Sequence, residues 1–150
     1  MKACLSLAMV LVLVGCGDTR NAAPGELDLE RLRGQWVVIN YWAQWCKPCI
    51  KEIPELNALD QRYPAVTVLG VNYDGLIGEE LRGQAQELGI EFRLLTVDPA
   101  PQLGLPRPMV LPTTLVLDPQ GALTQTLVGP QTLESLALVT GQVSGEQRPE

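Results

Sequence analysis

Residues 37–49 read VVINYWAQWCKPC and carry the clearest structural pattern of the chain. Its first part belongs to an apolar, β-branched and aromatic run over residues 35–42, which is typical of a strand buried on both faces. A short turn follows, and Pro48 then lies near the start of a helical pattern, where its missing N–H costs nothing. The chain therefore passes from a buried strand into a helix through a turn that carries Cys46 and Cys49.

The helix predicted after this turn has one apolar face. Its apolar residues recur at helical spacing, with charged residues mostly between them; they are Ile50, Ile53, Leu56 and Leu59. Pro54 interrupts this pattern, so we expect a kink there.

Composition excludes several classes of site. The chain has 150 residues and no histidine, so Ser-His-Asp, Cys-His and His-ligated zinc or haem chemistry is ruled out. Its net charge of −6 argues against nucleic acid as a partner. The length corresponds to one domain that can bury its own core.

Two of the four cysteines are available for chemistry. Cys4 belongs to an N-terminal signal, and Cys16 would have no free thiol once lipidated, which leaves Cys46 and Cys49 in a C-x-x-C arrangement. A structural zinc site would need two further Cys or His ligands, and we predict no metal. A purely structural disulfide would close only a two-residue loop and remove little chain entropy. A redox dithiol is therefore the favoured interpretation, with no cofactor beyond the disulfide of Cys46 and Cys49.

The position of the dithiol at a helix N-terminus assigns different roles to its two thiols. The helix dipole and the free N–H groups favour a thiolate at Cys46, and Lys47 adds a nearby cation. We expect Cys46 to be the exposed nucleophile and Cys49 to be the more buried resolving thiol.

Residues 1–15 predict an export signal: one lysine precedes about a dozen mostly apolar residues, too few to span a bilayer. Residues 13–16 (LVGC) resemble the lipobox of bacterial lipoproteins, which implies lipidation of Cys16 and anchoring to a membrane. Residues 16–26 are polar and small and read as a tether. We expect a lipid-anchored domain on the periplasmic side of an envelope membrane, inner or outer; a cleaved, soluble secretory protein is the alternative.

The downstream patterns predict the rest of an α/β domain. The elements in chain order are a strand over 65–73, a helix over 77–88, a short extended piece over 92–95, a loop over 98–109, a hairpin of strands 113–117 and 122–128, and a closing helix over 130–139. Together they predict a central mixed β-sheet flanked by helices on both faces. Residues 143–150 are polar and predict a flexible tail.

Three motifs in this order resemble the thioredoxin superfamily, and within it the TlpA/ResA-like envelope branch. The motifs are residues 37–49, the Glu-Ile-Pro of residues 52–54, and residues 111–118 (LPTTLVLD). The resemblance covers residues 27–142 and implies a thioredoxin-like fold and thiol–disulfide oxidoreductase activity.

The resemblance also implies roles for individual residues. Pro112 would be a cis-proline that faces the dithiol and, with Leu111, shapes a substrate groove. Trp45 would be an apolar contact surface in the active-site turn, together with Lys47 and Pro48. The loop before Leu111 is expected to supply the rim of that groove through Arg107, Met109 and Val110.

Glu52 is the predicted proton acceptor of the site. Asn40 occupies the position at which cytoplasmic thioredoxins carry a buried aspartate, and an amide cannot titrate. Glu52 follows Cys49 by one helical turn, and a partly buried carboxylate there can have a raised pKa suited to proton transfer. The alternative is a solvated helix residue or a salt bridge.

The combined prediction is a membrane-tethered, monomeric reductase of protein disulfides, supplied with electrons by an upstream membrane donor. Two alternatives stay open. One is a peroxiredoxin-like peroxide reductase, although peroxiredoxins usually place Thr and Pro ahead of the reactive Cys, with Arg nearby, and this chain has Trp-Cys-Lys-Pro-Cys over residues 45–49 instead. The other is a non-catalytic thioredoxin-fold binding or chaperone module.

Overall fold

The structure, a computed structural model, describes residues 25–143. The predicted signal peptide, the lipidation site at Cys16, nearly all of the tether and all but the first residue of the tail lie outside these residues, so the structure does not address them. Among residues 25–143, no helix is long and apolar enough to cross a membrane.

Five strands and three helices make up this part of the chain. In chain order they are β1 (Trp36–Trp42), α1 (Lys47–Arg62), β2 (Val66–Asn72), α2 (Gly78–Glu87), β3 (Arg93–Leu95), β4 (Thr113–Leu117), β5 (Leu123–Val128) and α3 (Leu133–Val139). Each element for which bounds were predicted agrees with them to within one or two residues at either end, apart from the start of α3; α1 was predicted without bounds. Helix α1 includes Pro54 and continues for two further turns beyond it.

The sheet has the order β3-β2-β1-β4-β5. Strand β1 is central: it pairs in parallel with β2 and antiparallel with β4. The pair Tyr41–Thr113 places the end of β1, where the cysteine turn begins, beside the start of β4, where the Leu-Pro motif ends. The two motifs are therefore brought to the same end of the sheet, and this is what assembles the site.

One face of the sheet is covered by helices. Alternate residues of β1 point to this face: Val38 packs with Leu56 of α1 and Leu136 of α3, and Trp42 packs with Leu81 of α2. All three helices of the described chain therefore lie on the same face.

The opposite face is covered by irregular chain. There Ile39 and its neighbours pack against Leu27 and Leu32 from the segment before β1, and against Leu103 and Leu105 from the segment before β4. The prediction of helices on both faces is wrong in this detail for residues 25–143. The apolar residues of these two segments form only turns. In the segment before β4, Pro99, Pro101, Gly104 and Pro106 interrupt the chain too often for a helix to propagate.

Helix α3 begins three residues later than predicted. Thr132 is its N-cap, and its side chain forms a reciprocal capping box with Ser135. Residues 130 and 131 lie outside the helix, and its first residue contacts α1, where Glu55 accepts a hydrogen bond from the backbone N–H of Leu133 at 2.8 Å.

Candidate active site

The turn between β1 and α1 places the two cysteines. Cys46 is the N-cap of α1, and Pro48 occupies the first turn of the helix. The Cys46 Sγ accepts a hydrogen bond from the backbone N–H of Cys49 at 3.3 Å, and the backbone N–H of Cys46 bonds to the carbonyl of Ala43 at 3.1 Å. The sulfur of Cys46 therefore lies at the positive end of the helix, where a thiolate is stabilised.

The structure holds the site in its oxidised form. Cys46 and Cys49 are joined by a disulfide. Cys49 is 1% exposed, as expected for the inner thiol, but Cys46 is only 4% exposed. The prediction that Cys46 is exposed is wrong for this form, because its sulfur packs in a cluster with Trp42, Ala43 and Leu81.

Glu52 lies on α1, one helical turn after Cys49. It is 1% exposed and bridges two other elements: one carboxylate oxygen accepts from the Asn40 amide at 2.6 Å and the other from the backbone N–H of Gln131 at 2.9 Å. Burial raises the pKa of Glu52 above its ordinary value, and the two hydrogen bonds, that of Gln131 first, offset part of the rise. The alternative of a solvated or ion-paired Glu52 is excluded by this geometry.

Asn40 is an incompletely paired partner of that carboxylate. Its amide nitrogen donates to both Glu52 and the Thr114 hydroxyl, the latter at 3.0 Å. Its amide oxygen is buried without a hydrogen-bond partner among the described residues. An amide carries both donors and an acceptor, so a rotation of Asn40 would present its oxygen to a protonated Glu52. The pair can thus accommodate either protonation state of the carboxyl group.

The start of β4 supplies the opposite wall. The peptide bond between Leu111 and Pro112 is cis, as the resemblance implied. Leu111 is partly buried and packs against the cluster that contains both cysteines. The Pro112 carbonyl accepts a hydrogen bond from the backbone N–H of Gly129 at 2.9 Å, which ties this wall to the end of β5.

Trp45 is the largest exposed side chain beside the cysteines. It is 63% exposed. The neighbouring Lys47 and Pro48 are also exposed, but they present less apolar surface. Its indole N–H donates to both oxygens of Asp74, each at 3.1 Å. The edge of its ring meets Tyr73 at 6.4 Å between centroids, with the planes at 87°. Trp45 is therefore held in one orientation although it is open to solvent.

Sequence reasoning placed Arg107 at the rim of the groove but missed what it binds. Its guanidinium stacks 4.2 Å from the centre of the Tyr73 ring and also donates to the Tyr73 carbonyl. Its Nε lies 3.1 Å from a carboxylate oxygen of Asp98, whose other oxygen accepts from the buried Tyr41 hydroxyl at 2.7 Å. No motif signals the contacts of Arg107 with Tyr73 and of Tyr41 with Asp98, because they join residues 34 and 57 positions apart in the sequence.

An apolar cavity of about 330 Å³ opens between the loop before Leu111 and the exposed edge strand β5. Val110 and Thr113 line it from either side of the Leu-Pro motif, and Met109, at 92% exposure, stands at its mouth. Within residues 25–143, no three Cys, Asp or Glu side chains are grouped so that they could hold a metal ion.

The sequence profile of the AhpC/TSA family matches residues 17–126. The chain is 30% identical over 115 residues to the thiol-disulfide oxidoreductase ResA of Bacillus thuringiensis (strain Al Hakam), covering 74% of this chain and 65% of that protein. It is 31% identical over 106 residues to the thiol:disulfide interchange protein HelX of Rhodobacter capsulatus, covering 70% and 58% respectively. The chain thus spans slightly less than two thirds of the length of these relatives.

Solved structures confirm the predicted thioredoxin-like fold. A thioredoxin family thiol:disulfide interchange protein from Chlorobium tepidum superposes with a TM-score of 0.63 at 20% identity, covering 75% of this chain and 82% of that one. A DsbF homologue from Corynebacterium diphtheriae superposes with a TM-score of 0.65 at 27% identity, covering 78% and 77%.

Proposed function

We propose that this chain, which belongs to the AhpC/TSA family, is a thiol–disulfide oxidoreductase that reduces protein disulfides. In this proposal it is tethered to a membrane and acts outside the cytoplasm. The observation that carries the proposal is the Cys46–Cys49 disulfide at the N-terminus of α1. The relatives named as thiol-disulfide oxidoreductase and interchange protein support the same reaction type.

The reaction transfers two electrons from the dithiol to the substrate. The Cys46 thiolate attacks one sulfur of a substrate disulfide, which forms a mixed disulfide and releases one substrate thiolate. The Cys49 thiolate then attacks the Cys46 sulfur, which releases the second substrate thiolate and leaves the Cys46–Cys49 disulfide. A membrane-bound dithiol donor would reduce this disulfide again by the same exchange.

Glu52 is the proposed acceptor of the Cys49 proton. The resolving thiol must lose its proton before it can attack, and Cys49 is buried with no histidine anywhere in the chain to serve as base. The buried carboxylate of Glu52, whose pKa is raised by desolvation, is the nearest acidic group along α1. A base with a pKa closer to neutrality transfers a proton more effectively than an ordinary surface carboxylate.

The surface around the dithiol favours a polypeptide substrate over a small one. Trp45 is exposed beside the cysteines, and the apolar cavity that Val110 and Thr113 line adjoins the Leu-Pro motif, so both offer apolar area to a polypeptide. Peroxide would need none of this surface. A protein disulfide is therefore the proposed substrate.

The site of action rests on the first sixteen residues. The export signal over residues 1–15 and the lipobox cysteine, Cys16, support a lipid-anchored position on the outer side of a membrane. In cells that process lipoproteins, Cys16→Ser should move the protein from the membrane fraction to the soluble fraction. Unchanged membrane association would contradict the anchor.

The test of the reaction is to trap its mixed disulfide. Cys49→Ser removes the resolving thiol, so substrate proteins should accumulate on Cys46 as adducts that dithiothreitol releases. Cys46→Ser is the matched control and should trap nothing, since Cys49 is the more deeply buried sulfur. If both variants form the same adducts, the assignment of roles is wrong.

The same experiment separates the alternatives. Adducts absent from both variants, together with rapid peroxide consumption by the reduced wild-type protein, would replace the proposal by the peroxide reductase. Absence of both activities would leave a non-catalytic binding module.

A further inference from the structure

Arg107 lies on the loop that leads into the Leu-Pro wall, yet its contacts lie on the other side of the site. Its guanidinium stacks on the ring of Tyr73, at 4.2 Å from the ring centre, and donates to the Tyr73 carbonyl. Tyr73 directly follows β2, and its backbone N–H donates a hydrogen bond, at 2.7 Å, to the carbonyl of Trp42 at the end of β1. One side chain thus joins the cis-proline loop to the chain segment beside the cysteine turn.

The guanidinium of Arg107 is also held by Asp98. Its Nε is 3.1 Å from Asp98, and that carboxylate is held by the Tyr41 hydroxyl at 2.7 Å and the backbone N–H of Ala100 at 3.0 Å. Tyr41 belongs to the central strand and is fully buried. An arginine paired with a carboxylate that a buried hydroxyl holds in place loses little further freedom when it stacks on an aromatic ring, which suits Arg107 to a positioning role.

Trp45 depends on the surface that this arrangement creates. The indole meets the Tyr73 ring edge to face and is tied to Asp74, the next residue. An exposed tryptophan without such contacts would sample several rotamers. Substrate binding would then have to order the side chain, and the lost conformational entropy would weaken the affinity. A preordered Trp45 avoids that cost.

We propose that Arg107 is a positioning residue of the dithiol site, which clamps Tyr73 and thereby fixes Trp45 as a rigid apolar wall for the substrate polypeptide. The inference rests on the proposed function for its substrate, and it adds the residue that sets substrate affinity. Arg107 itself takes no part in the exchange of sulfur atoms.

The first test reads the order of Trp45 and needs no activity. The ¹⁵N–¹H heteronuclear NOE of the Trp45 indole should fall clearly in Arg107→Met, where both the charge and the stacking plane are lost. Arg82→Met is the matched control: it also removes an arginine from an ion pair, with Glu79 on α2, outside the site. The NOE of Trp45 should stay at the wild-type value in the control. An equal NOE in Arg107→Met and in the wild type would overturn the inference.

The second test reads substrate affinity with insulin as the protein disulfide and dithiothreitol as the donor. Arg107→Met should raise KM about fivefold with kcat changed less than twofold, and Arg107→Lys, which keeps the charge, should recover part of the loss. Trp45→Ala should raise KM by a similar factor. The double variant should then be no worse than Trp45→Ala alone, because Arg107 acts through Trp45.

The outcomes separate this inference from the proposed function. If KM of the double variant rises by the product of the two single effects, about 25-fold, Arg107 acts independently of Trp45 and the inference fails. If kcat falls and KM stays constant, the role is structural and the inference also fails. If the wild-type protein does not reduce insulin, the proposed function fails, and the NOE of Trp45 still decides whether Arg107 orders the indole.

Discussion

Glu52, on the inner side of the dithiol, and Trp45, on its outer side, differ in their exposure to solvent. Glu52 is 1% exposed and accepts hydrogen bonds from a side-chain amide and a backbone N–H. Trp45 is 63% exposed. Both residues lie within three positions of a cysteine, and both are held by two partners. The inner contacts are short and desolvated, so a change of charge there is costly. The outer contacts are exposed to solvent, so each alone contributes little free energy.

This difference separates two tasks. Proton transfer needs a low-dielectric environment that shifts a pKa, and only the inner side, around Glu52, provides one. Recognition of the proposed protein substrate needs accessible apolar area of fixed shape, and Trp45 on the outer side provides it. Changes on the inner side should therefore alter stability and pH dependence, and changes on the outer side should alter KM.

The largest effect is expected from Asn40→Asp, which places a second carboxylate against Glu52, where the two side chains are now 2.6 Å apart. Two buried like charges raise each other's pKa, so the pair should hold a shared proton. The free energy of unfolding should fall by about 3 kcal/mol at pH 7.5. The loss should shrink as the pH is lowered, because groups with raised pKa values contribute stability that is lost only as the pH rises through those values. Urea denaturation of the oxidised protein at several pH values measures this.

A double variant is the control for that effect. Asn40→Asp combined with Glu52→Gln exchanges the acid and the amide across the same contact. It should be more stable than Asn40→Asp at pH 7.5 and should show less dependence on pH. Equal stability of the two variants would mean that charge repulsion is not the cause.

A smaller effect, on rate, is expected from Glu52→Gln alone. The wild-type kcat should rise as the pH increases through the raised pKa of Glu52, since only the ionised carboxylate can accept the Cys49 proton. The variant should be about 100-fold slower at neutral pH and should lack that inflection. Its fold should survive, because the unpaired oxygen of Asn40 can turn to accept from the new amide. An unchanged pH profile of kcat would remove Glu52 from the mechanism.

More of the inner side of the site than of the outer side could be predicted from the sequence. The turn with Cys46 and Cys49, and Glu52 one helical turn later, are local in sequence, so helical geometry alone places them together. The partner Gln131 was not predicted, because its contact with Glu52 spans 79 positions and uses a backbone N–H that any residue offers. Element types are likewise local, which is why the strands were found with nearly correct bounds. The face on which each helix packs depends on the crossovers between strands, and the prediction of helices on both faces was wrong.

The smallest effect is expected on the outer side, from Trp45→Phe. Phenylalanine keeps the edge contact with Tyr73 but cannot donate to Asp74. An exposed hydrogen bond to a carboxylate contributes of the order of 1 kcal/mol or less, so KM for insulin should rise about twofold to threefold. Asp74→Asn, which still accepts from the indole, is the matched control and should stay within the error of the wild type. A tenfold rise in KM for Trp45→Phe would show that this solvent-exposed contact is as costly to break as those around Glu52, and the contrast between the two sides would no longer hold.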